Sequence, residues 1–391
     1  MQNVTGNLYQ QHIPWWGDIS PTVMAELELP ISVSPSQTID VVVIGAGVAG
    51  LSAALSARST GAQVLLLEKE TALGYGATGR NAGILSAGIN MGISDLPSAS
   101  PHRAFWPETT HVLRALVAEA THPGSLLLAR LTGSLSLAET KNAAHKLARE
   151  ARSRQEAGLQ AQLWTPAQVA EVTQGRLNVQ SVLNALWLPD EGRIHPLTLL
   201  AHLAKQARAA GVLIAGQAHI IHYHETTSGS SNHSWQLTLA DGSTIRTRAL
   251  ISTVGPTVQP NARIYALAFT ANLPDTFPLF WDASPYTYAD FRPGNGRLGV
   301  SGGRYGRAGV TRHDARYHQR LADAARHWLP ELANQEPSTT WAVDLQVAAD
   351  MVPTLRELGT GAPGLAIEGL GALGVLPGII LGRRAGTLVT T

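Results

Sequence analysis

The sequence contains no cysteine. This excludes disulfides, thiolate-bound metal centres and a cofactor attached through a cysteine. Charged residues are also scarce, at 15% of the 391 positions, and the formal net charge is only +1. No basic run interleaves with aromatic residues, so we expect no nucleic-acid partner. No uncharged apolar stretch reaches the length of about 18 residues that a membrane-spanning helix needs, so no span is expected.

The N-terminus has no basic segment followed by an apolar one, which predicts a protein without a signal peptide, located in the cytoplasm. Hydrophobic residues make up 44% of the chain, enough for a sizeable core in one large or two ordinary domains. Residues 1–37 hold Trp15 and Trp16 without clear periodicity. We interpret them as an extended arm across the body, the alternative being a frayed tail.

The most informative stretch is IDVVVIGAGVAGLSAALSARSTGAQVLLLE, at residues 39–68. Its continuous apolar start predicts a strand buried on both faces. Three glycines follow at G-x-G-x-x-G spacing: Gly45, Gly47 and Gly50. The first permits a tight turn, the second lets backbone approach a pyrophosphate, and the third lets the helix pack close to the sheet.

The helix is expected to run to about Thr60, with Gly61 as a left-handed cap. A second apolar strand, residues 64–67, ends in Glu68, 18 positions after Gly50, where a ribose hydroxyl needs an acceptor. The helix N-terminus offers N–H groups to phosphate. Together these features predict a dinucleotide site, the alternative being a glycine-rich βα turn without a ligand.

The segment after Glu68, KETALGYGATGRNAGILSAGINMG, is crowded with small residues that let backbone lie against a flat ring system. In it, Arg80 and Asn81 are candidates for contact with phosphate or ribityl oxygens. The alternative is a flexible glycine loop. Further along, His222 and His224 would share one face of a strand, but no acid or third ligand lies at supportive spacing. We therefore expect an ordinary strand end and no metal site.

Periodicity predicts helices over residues 103–120, 136–159, 197–210 and 313–327, and Asp241-Gly242 predicts a hairpin. The C-terminal glycine-rich turn opens a further apolar helix, so it is a second candidate contact for a cofactor.

Six segments in order resemble the FAD-dependent D-amino-acid oxidase superfamily, which includes glycine oxidase, sarcosine oxidase and γ-glutamylputrescine oxidase. They are the fingerprint with Glu68, TGRNAGIL (78–85), GRIHPLTLL (192–200), ISTVG (251–255), GRLGVSGG (296–303) and GLGALGV (369–375). The resemblance implies an α/β fold, α+β overall. A Rossmann-type FAD-binding domain (38–97, 190–256 and 345–391) would be interleaved with a substrate domain (98–189 and 257–344) on a mixed or antiparallel sheet.

The resemblance also implies FAD as the cofactor. Some members attach flavin through a histidine that precedes Ala-Gly in the second segment, but Asn81 stands there, so we predict non-covalent FAD. The implied contacts are Gly45, Gly47, Val48, Ala49, Gly50, Glu68, Lys69, Thr78, Gly79, Arg80, Asn81, Ala82, Gly83, Ile84, Leu85, Ile220, Thr253, Val254, Gly255, Gly371, Ala372, Leu373, Gly374, Val375 and Leu376.

One departure concerns the substrate. The amino-acid oxidases of this superfamily carry a Gly-x-Arg-Pro element whose arginine pairs with the substrate carboxylate. Counting back from Asp350 and Pro353, the arginine position holds Leu345 and the proline position holds Gln346. Either the substrate lacks an α-carboxylate or another cation binds it; the candidates are Arg292, Arg304 and Arg307.

The implied reaction is oxidation of a C–N bond in an amine or amino-acid-like substrate by hydride transfer to flavin N5, with O₂ or another electron acceptor. The alternatives are a 2-hydroxy-acid oxidoreductase, whose members carry histidine where Ser86 stands, and a non-catalytic flavoprotein subunit. No catalytic acid or base is assigned. Candidates for the substrate cavity are Ser86, Trp281, Tyr286, Tyr288, Arg304 and Leu345, the aromatic members being alternatively plain sheet core.

Overall fold

The computed structural model describes residues 13–30, 39–228, 232–283 and 289–391. Its strands are β1 (Val41–Ile44), β2 (Val64–Leu67), β3 (Ile84–Leu85), β4 (Ala129–Leu131), β5 (Ser134–Ala138), β6 (Gln162–Trp164), β7 (Asn184–Leu188), β8 (Gly192–Ile194), β9 (Leu213–Ala215), β10 (Ile220–Ser228), β11 (Asn232–Leu239), β12 (Thr244–Thr247), β13 (Ala249–Ser252), β14 (Ala262–Thr270), β15 (Leu279–Asp282), β16 (Ala289–Gly294), β17 (Arg297–Arg307), β18 (Thr339–Leu345), β19 (Thr354–Glu357) and β20 (Gly364–Glu368).

The α-helices are α1 (Pro21–Leu27), α2 (Val48–Ser59), α3 (Ala77–Arg80), α4 (Phe105–Ala120), α5 (Lys141–Glu156), α6 (Pro166–Val172), α7 (Pro196–Ala209), α8 (Asp314–Trp328) and α9 (Val375–Leu388). Short 3₁₀ turns occur at Pro14–Gly17, Ile93–Asp95, Pro101–Ala104 and Pro330–Leu332.

The nucleotide-type unit is a six-stranded sheet with the order β19-β20-β13-β1-β2-β9. Strand β1 pairs in parallel with both β2 and β13, and its four residues are all buried. A strand buried on both faces needs an apolar run, which is why VVVI and VLLL occupy the centre of this sheet. The helix after β1 ends before Gly61, whose φ of +94° is the left-handed conformation expected of a cap.

Helix α9 packs directly against the backbone of α2, because the contact face of α9 carries glycines, which have no side chain. A Cβ atom on Gly382 would lie 2.4 Å from the Ala49 carbonyl oxygen, and one on Gly386 would lie 2.3 Å from that of Ala53. Residues four apart share one helix face, so the two glycines form a continuous flat strip. This packing brings the N-termini of both helices to the same side of the sheet.

The second large element is an eight-stranded mixed sheet with the order β18-β14-β17-β16-β15-β5-β7-β6. One face of its central strands packs on α8 in a core that includes Leu267, Val300 and Trp328. Residues on the opposite face, among them Ala266 and Val343, belong to the core shared with α2, α7 and α9. The sheet therefore covers the carboxyl end of the nucleotide-type unit.

All strands of the six-stranded sheet fall inside the ranges 38–97, 190–256 and 345–391. Seven strands of the eight-stranded sheet start between residues 134 and 297, and β18 starts at Thr339. The exact domain boundaries stay a prediction.

Two expectations about local structure differ from what is observed. The helix expected from residue 136 begins at Lys141, because residues 136–138 belong to β5, whose sequence SLSLA alternates serine with leucine. The described part of the N-terminal arm is not extended throughout. Pro14–Gly17 forms a 3₁₀ turn, and Ser20 caps α1 by accepting a hydrogen bond from Val23 N–H.

Candidate functional site

A cavity of about 750 Å³ lies between the carboxyl end of the six-stranded sheet and the eight-stranded sheet. Ligands of open α/β sheets bind at this end, beside the turn where a strand feeds a helix. All of the residues predicted to contact the cofactor line the cavity except Gly50, Gly83 and Leu85. Their role as cofactor contacts stays a prediction.

The three fingerprint glycines have different structural roles. Gly45 has φ +95°, and a Cβ there would lie 2.6 Å from Thr253 Oγ1. A Cβ on Gly50 would lie 1.8 Å from the Gly45 carbonyl oxygen, so this glycine serves helix packing. A Cβ on Gly47, by contrast, would have only the Thr78 hydroxyl within 4 Å, at 3.1 Å. The backbone at Gly47 is thus open to a ligand.

Glu68 is fixed at the end of β2 by backbone donors. Ala46 N–H donates to Oε2 at 2.9 Å and Glu70 N–H donates to Oε1 at 3.3 Å. Burial raises the pKa of Glu68, and these two hydrogen bonds offset part of the rise. A desolvated carboxylate held in this way is a suitable acceptor for ribose hydroxyls, which donate hydrogen bonds without carrying charge.

The segment at residues 78–83 is held from outside by two tryptophans. The indole N–H of Trp15 donates to the Asn81 carbonyl oxygen at 2.9 Å, and that of Trp341 donates to the Arg80 carbonyl oxygen at 2.9 Å. Arg292 donates from Nε to the Gly83 carbonyl oxygen at 3.2 Å. These contacts fix the wall of the cavity and give the buried N-terminal segment a structural role.

The C-terminal turn before α9 is held in a similar way. The Asn90 amide donates to the Leu370 carbonyl oxygen and accepts from Leu373 N–H, both at 3.0 Å. The Gln346 carbonyl oxygen accepts from Gly371 N–H at 3.0 Å. The turn that opens α9 is therefore rigidly placed at the cavity.

Ser86 lines the cavity and rests on a buried polar network. Its hydroxyl donates to Glu191 Oε1 at 2.8 Å, and Ser134 donates to Oε2 at 2.6 Å. Arg154 bonds the same carboxylate at 3.2 Å and Glu150 at 2.9 Å. Burial opposes the charge of Arg154, but the two carboxylates outweigh it and raise its pKa. Because Ser86 gives its proton to Glu191, it presents oxygen lone pairs to the cavity.

The wall formed by the eight-stranded sheet carries Asp290 and Ser301, which are directly paired across β16 and β17. Burial raises the pKa of Asp290 well above its ordinary value, and the Ser301 hydroxyl lowers it only in part. The Tyr305 phenol is nearby. Burial, and then the Asp290 carboxyl, raise the pKa of Tyr305 to about 12. The remaining residues of this wall are Ile264, Ala266, Val343, Asp344 and Leu345.

The structure brings only some of the proposed cavity residues together. Ser86 and Leu345 line the cavity. Trp281 pairs with Asp290 but lies one strand further out and does not line it, and Arg304 is exposed. The two tyrosines at positions 286 and 288 lie outside the described residues. None of the three candidate arginines lines the cavity, since Arg292 contacts Gly83 instead and Arg307 is exposed.

Sequence reasoning missed Asp290, Ser301, Asn90 and Glu191. The one available signal was an ionisable residue, Asp290, in a stretch otherwise rich in apolar and aromatic residues. Its importance depends on strand pairing, which residue spacing does not reveal.

The described residues contain no group of three histidines or acids able to hold a metal ion. His222 and His224 stack on each other at the exposed face of β10, with ring centroids 5.4 Å apart. No helix in the described ranges is long and apolar enough to cross a membrane.

The fold and the cavity define a dinucleotide-binding protein of the Rossmann type. The chain belongs to the FAD dependent oxidoreductase family (DAO), whose family model matches residues 40–388. This confirms the superfamily and the α/β fold class expected from the sequence. The cofactor is FAD.

Solved structures with the same fold include glycine oxidase from Geobacillus kaustophilus, with a TM-score of 0.73 and 22% identity over 90% of this chain and 94% of that one. L-proline dehydrogenase from P. horikoshii has a TM-score of 0.74 and 17% identity, covering 93% and 94%. L-alpha-glycerophosphate oxidase from Mycoplasma pneumoniae, with FAD bound, has a TM-score of 0.74 and 14% identity, covering 91% and 95%.

Among curated proteins, a 90-residue stretch is 37% identical to "Fumarate reductase (cytochrome)" of Shewanella frigidimarina. That stretch covers 22% of this chain and 15% of the relative. The similarity is therefore confined to a small part of that protein.

The residues present fit FAD. The open backbone at Gly47 suits a pyrophosphate, the held carboxylate of Glu68 suits a ribose, and two helix N-termini meet at the cavity. The position where some members bear a flavin-linking histidine is Asn81, whose side chain accepts from Gly83 N–H at 2.6 Å.

Proposed function

We propose that the protein oxidises the carbon–nitrogen bond of an amine that carries no carboxylate next to the reacting carbon. The proposal rests on the charges carried by the part of the cavity wall that the eight-stranded sheet forms. Within the described residues, the part of the cavity formed by the eight-stranded sheet has no arginine or lysine. An anionic substrate group buried there would have no cation to compensate its desolvation.

Leu345 supports the same conclusion. It is 8% exposed, lies at the end of β18 beside Ala262, and lines the cavity. The resemblance stated above places a carboxylate-binding arginine at this position in amino-acid oxidases. An apolar side chain there disfavours amino acids and 2-hydroxy acids alike, because both carry the carboxylate.

When bound, FAD supplies the acceptor for the hydride that leaves the carbon bearing the nitrogen, and its electrons pass on to O₂ or another acceptor. The protein's part is to bind, align and desolvate the amine. Apolar walls lower the pKa of an ammonium group and so favour the neutral amine from which hydride can leave. The resulting imine hydrolyses in water. We also propose that the protein works in the cytoplasm, the compartment expected from the sequence.

An anaerobic reduction assay tests the proposal. The purified holoenzyme is mixed under nitrogen with a panel of amines, amino acids and 2-hydroxy acids, and the flavin absorbance is followed. We expect bleaching by amines and much slower bleaching by glycine or D-alanine. Bleaching by 2-hydroxy acids alone would contradict the proposal and favour a 2-hydroxy-acid oxidoreductase. A flavin that no compound reduces would favour a non-catalytic subunit.

A second prediction concerns how FAD is held. Because the chain has no cysteine and has Asn81 at the family's histidine position, we expect the flavin to be bound without a covalent link. Acid precipitation should leave all of the flavin in the supernatant, as measured by absorbance. Yellow colour that stays with the washed protein pellet would contradict this expectation.

A further inference from the structure

The carboxyl group of Asp290 differs from the other acids at the cavity. In the described part of the chain it has no ion-pair partner, and its hydrogen-bond contact is with Ser301, whose Oγ lies 3.5 Å from Oδ2. By comparison, Asp344 pairs with Arg263 at 2.8 Å. Glu68 accepts two backbone N–H groups. Asp290 is thus the one of these three acids whose negative charge, when it ionises, no group in the described part of the chain compensates.

The ionised form of such a carboxyl group is costly at a desolvated site unless a cation from outside pairs with it. Burial raises its pKa, which shows that the site disfavours the ionised form while no cation is near it. A cation bound in the cavity would reverse this by supplying the missing charge. Partly buried carboxylates facing a cavity are frequently functional for this reason.

The neighbouring groups also suit a cation. Ser86 donates its proton to Glu191 and so offers lone pairs, while Ser301 faces the cavity beside Asp290. Apolar side chains at Ala266 and Val343 complete the wall. The cavity therefore combines hydrogen-bond acceptors with apolar surface, the combination found in sites for alkylammonium groups.

The cationic group that pairs with Asp290 should not be the substrate nitrogen whose C–N bond is oxidised. Hydride leaves from a neutral amine, whereas a carboxylate in contact with an ammonium group stabilises the charged form. Contact with the reacting nitrogen would oppose the reaction. Contact with a second cationic group holds the substrate without this penalty and orients its reacting end.

We propose that Asp290 is a specificity-determining residue that binds a second cationic group of the substrate. The preferred substrates are then amines with two basic nitrogens, such as α,ω-diamines. This inference rests on the proposed amine oxidation for the reaction itself, but not for the cation site.

The cation site is tested without turnover. The flavin absorbance of the holoenzyme is titrated under nitrogen with tetramethylammonium and with tert-butanol, which have similar shapes and differ in charge. Neither is an amine that can lose hydride from a neutral nitrogen. We expect tetramethylammonium to bind more tightly to the natural protein. In Asp290→Asn its Kd should rise by about tenfold to a hundredfold, as expected for loss of a charged partner, with little change for tert-butanol.

The matched control is Asp323→Asn. It makes the same Asp-to-Asn change at a side chain that is 62% exposed on α8, on the other side of the sheet. Equal binding of the two probes to the natural protein would overturn the cation site even if Asp290→Asn failed to fold. An Asn variant with unchanged preference would overturn the role of Asp290.

The second cationic group is tested with diaminobutane and butylamine in the anaerobic assay. In the natural protein the diamine should have the higher kcat/KM, and Asp290→Asn should remove this advantage while leaving butylamine within about threefold. An equal loss for both amines would place Asp290 at the reacting nitrogen and overturn the assignment. If neither amine reduces the flavin, the proposed reaction fails, while the probe titration still decides the cation site.

Discussion

Replacing Gly47 by valine should yield a folded protein that is colourless. The backbone at this position has φ −75° and ψ −177°, which any residue adopts, so valine imposes no strain of its own. Its methyl groups would project into the cavity at the turn between β1 and α2, where a pyrophosphate must approach the backbone. A steric conflict of this kind costs about 1–3 kcal/mol even after relaxation, equivalent to a Kd raised by about fivefold to 150-fold.

The measurement is the flavin-to-protein absorbance ratio after purification, followed by titration of the protein with FAD. Gly17→Val is the control, because Gly17 is exposed and a Cβ there would meet nothing within 4 Å. Gly50→Val serves as the contrast. Its Cβ would lie 1.8 Å from the Gly45 carbonyl oxygen, so this variant should lose stability as well as flavin. Normal flavin content in Gly47→Val would refute the assignment of the fingerprint.

The part of the site that the sequence predicted is the part built from neighbouring residues. The turn, helix, cap and second strand between residues 41 and 68 are all local, and each has its own composition signal. Gly61 adopts its left-handed conformation where the cap was expected, and Glu68 lies within hydrogen-bond reach of Ala46 N–H. Short-range geometry is sufficient to place these groups.

The substrate side depends on contacts between distant segments, which is why the sequence did not reveal it. Ser86 meets Glu191 across 105 positions of the chain. Asp290 meets Ser301 only because β16 and β17 pair in that register. Side chains alternate between the two faces of a strand, so the same register decides that Arg304 is exposed while Ser301 faces the cavity. No spacing rule fixes such a register in advance.

Introducing an arginine at Leu345 should change which substrates the enzyme accepts. Leu345 lies at the end of β18 with its side chain at the cavity wall, and a guanidinium there could hold a substrate carboxylate in bidentate fashion. Such a charge-assisted pair is expected to raise kcat/KM for glycine or D-alanine by about tenfold to a hundredfold. The added positive charge should at the same time lower kcat/KM for cationic amines.

The measurement is the ratio of kcat/KM for D-alanine to that for the best amine, in Leu345→Arg and in the natural protein. Leu345→Met is the volume-conserving control and should leave the ratio near its original value, because it adds no charge. Leu345→Lys separates charge from geometry, since a point charge lacks the planar fork and should give a smaller shift. An arginine variant that retains FAD and its melting temperature, yet shows the original ratio, would show that position 345 does not face the substrate. The carboxylate preference would then have to be set elsewhere in the cavity.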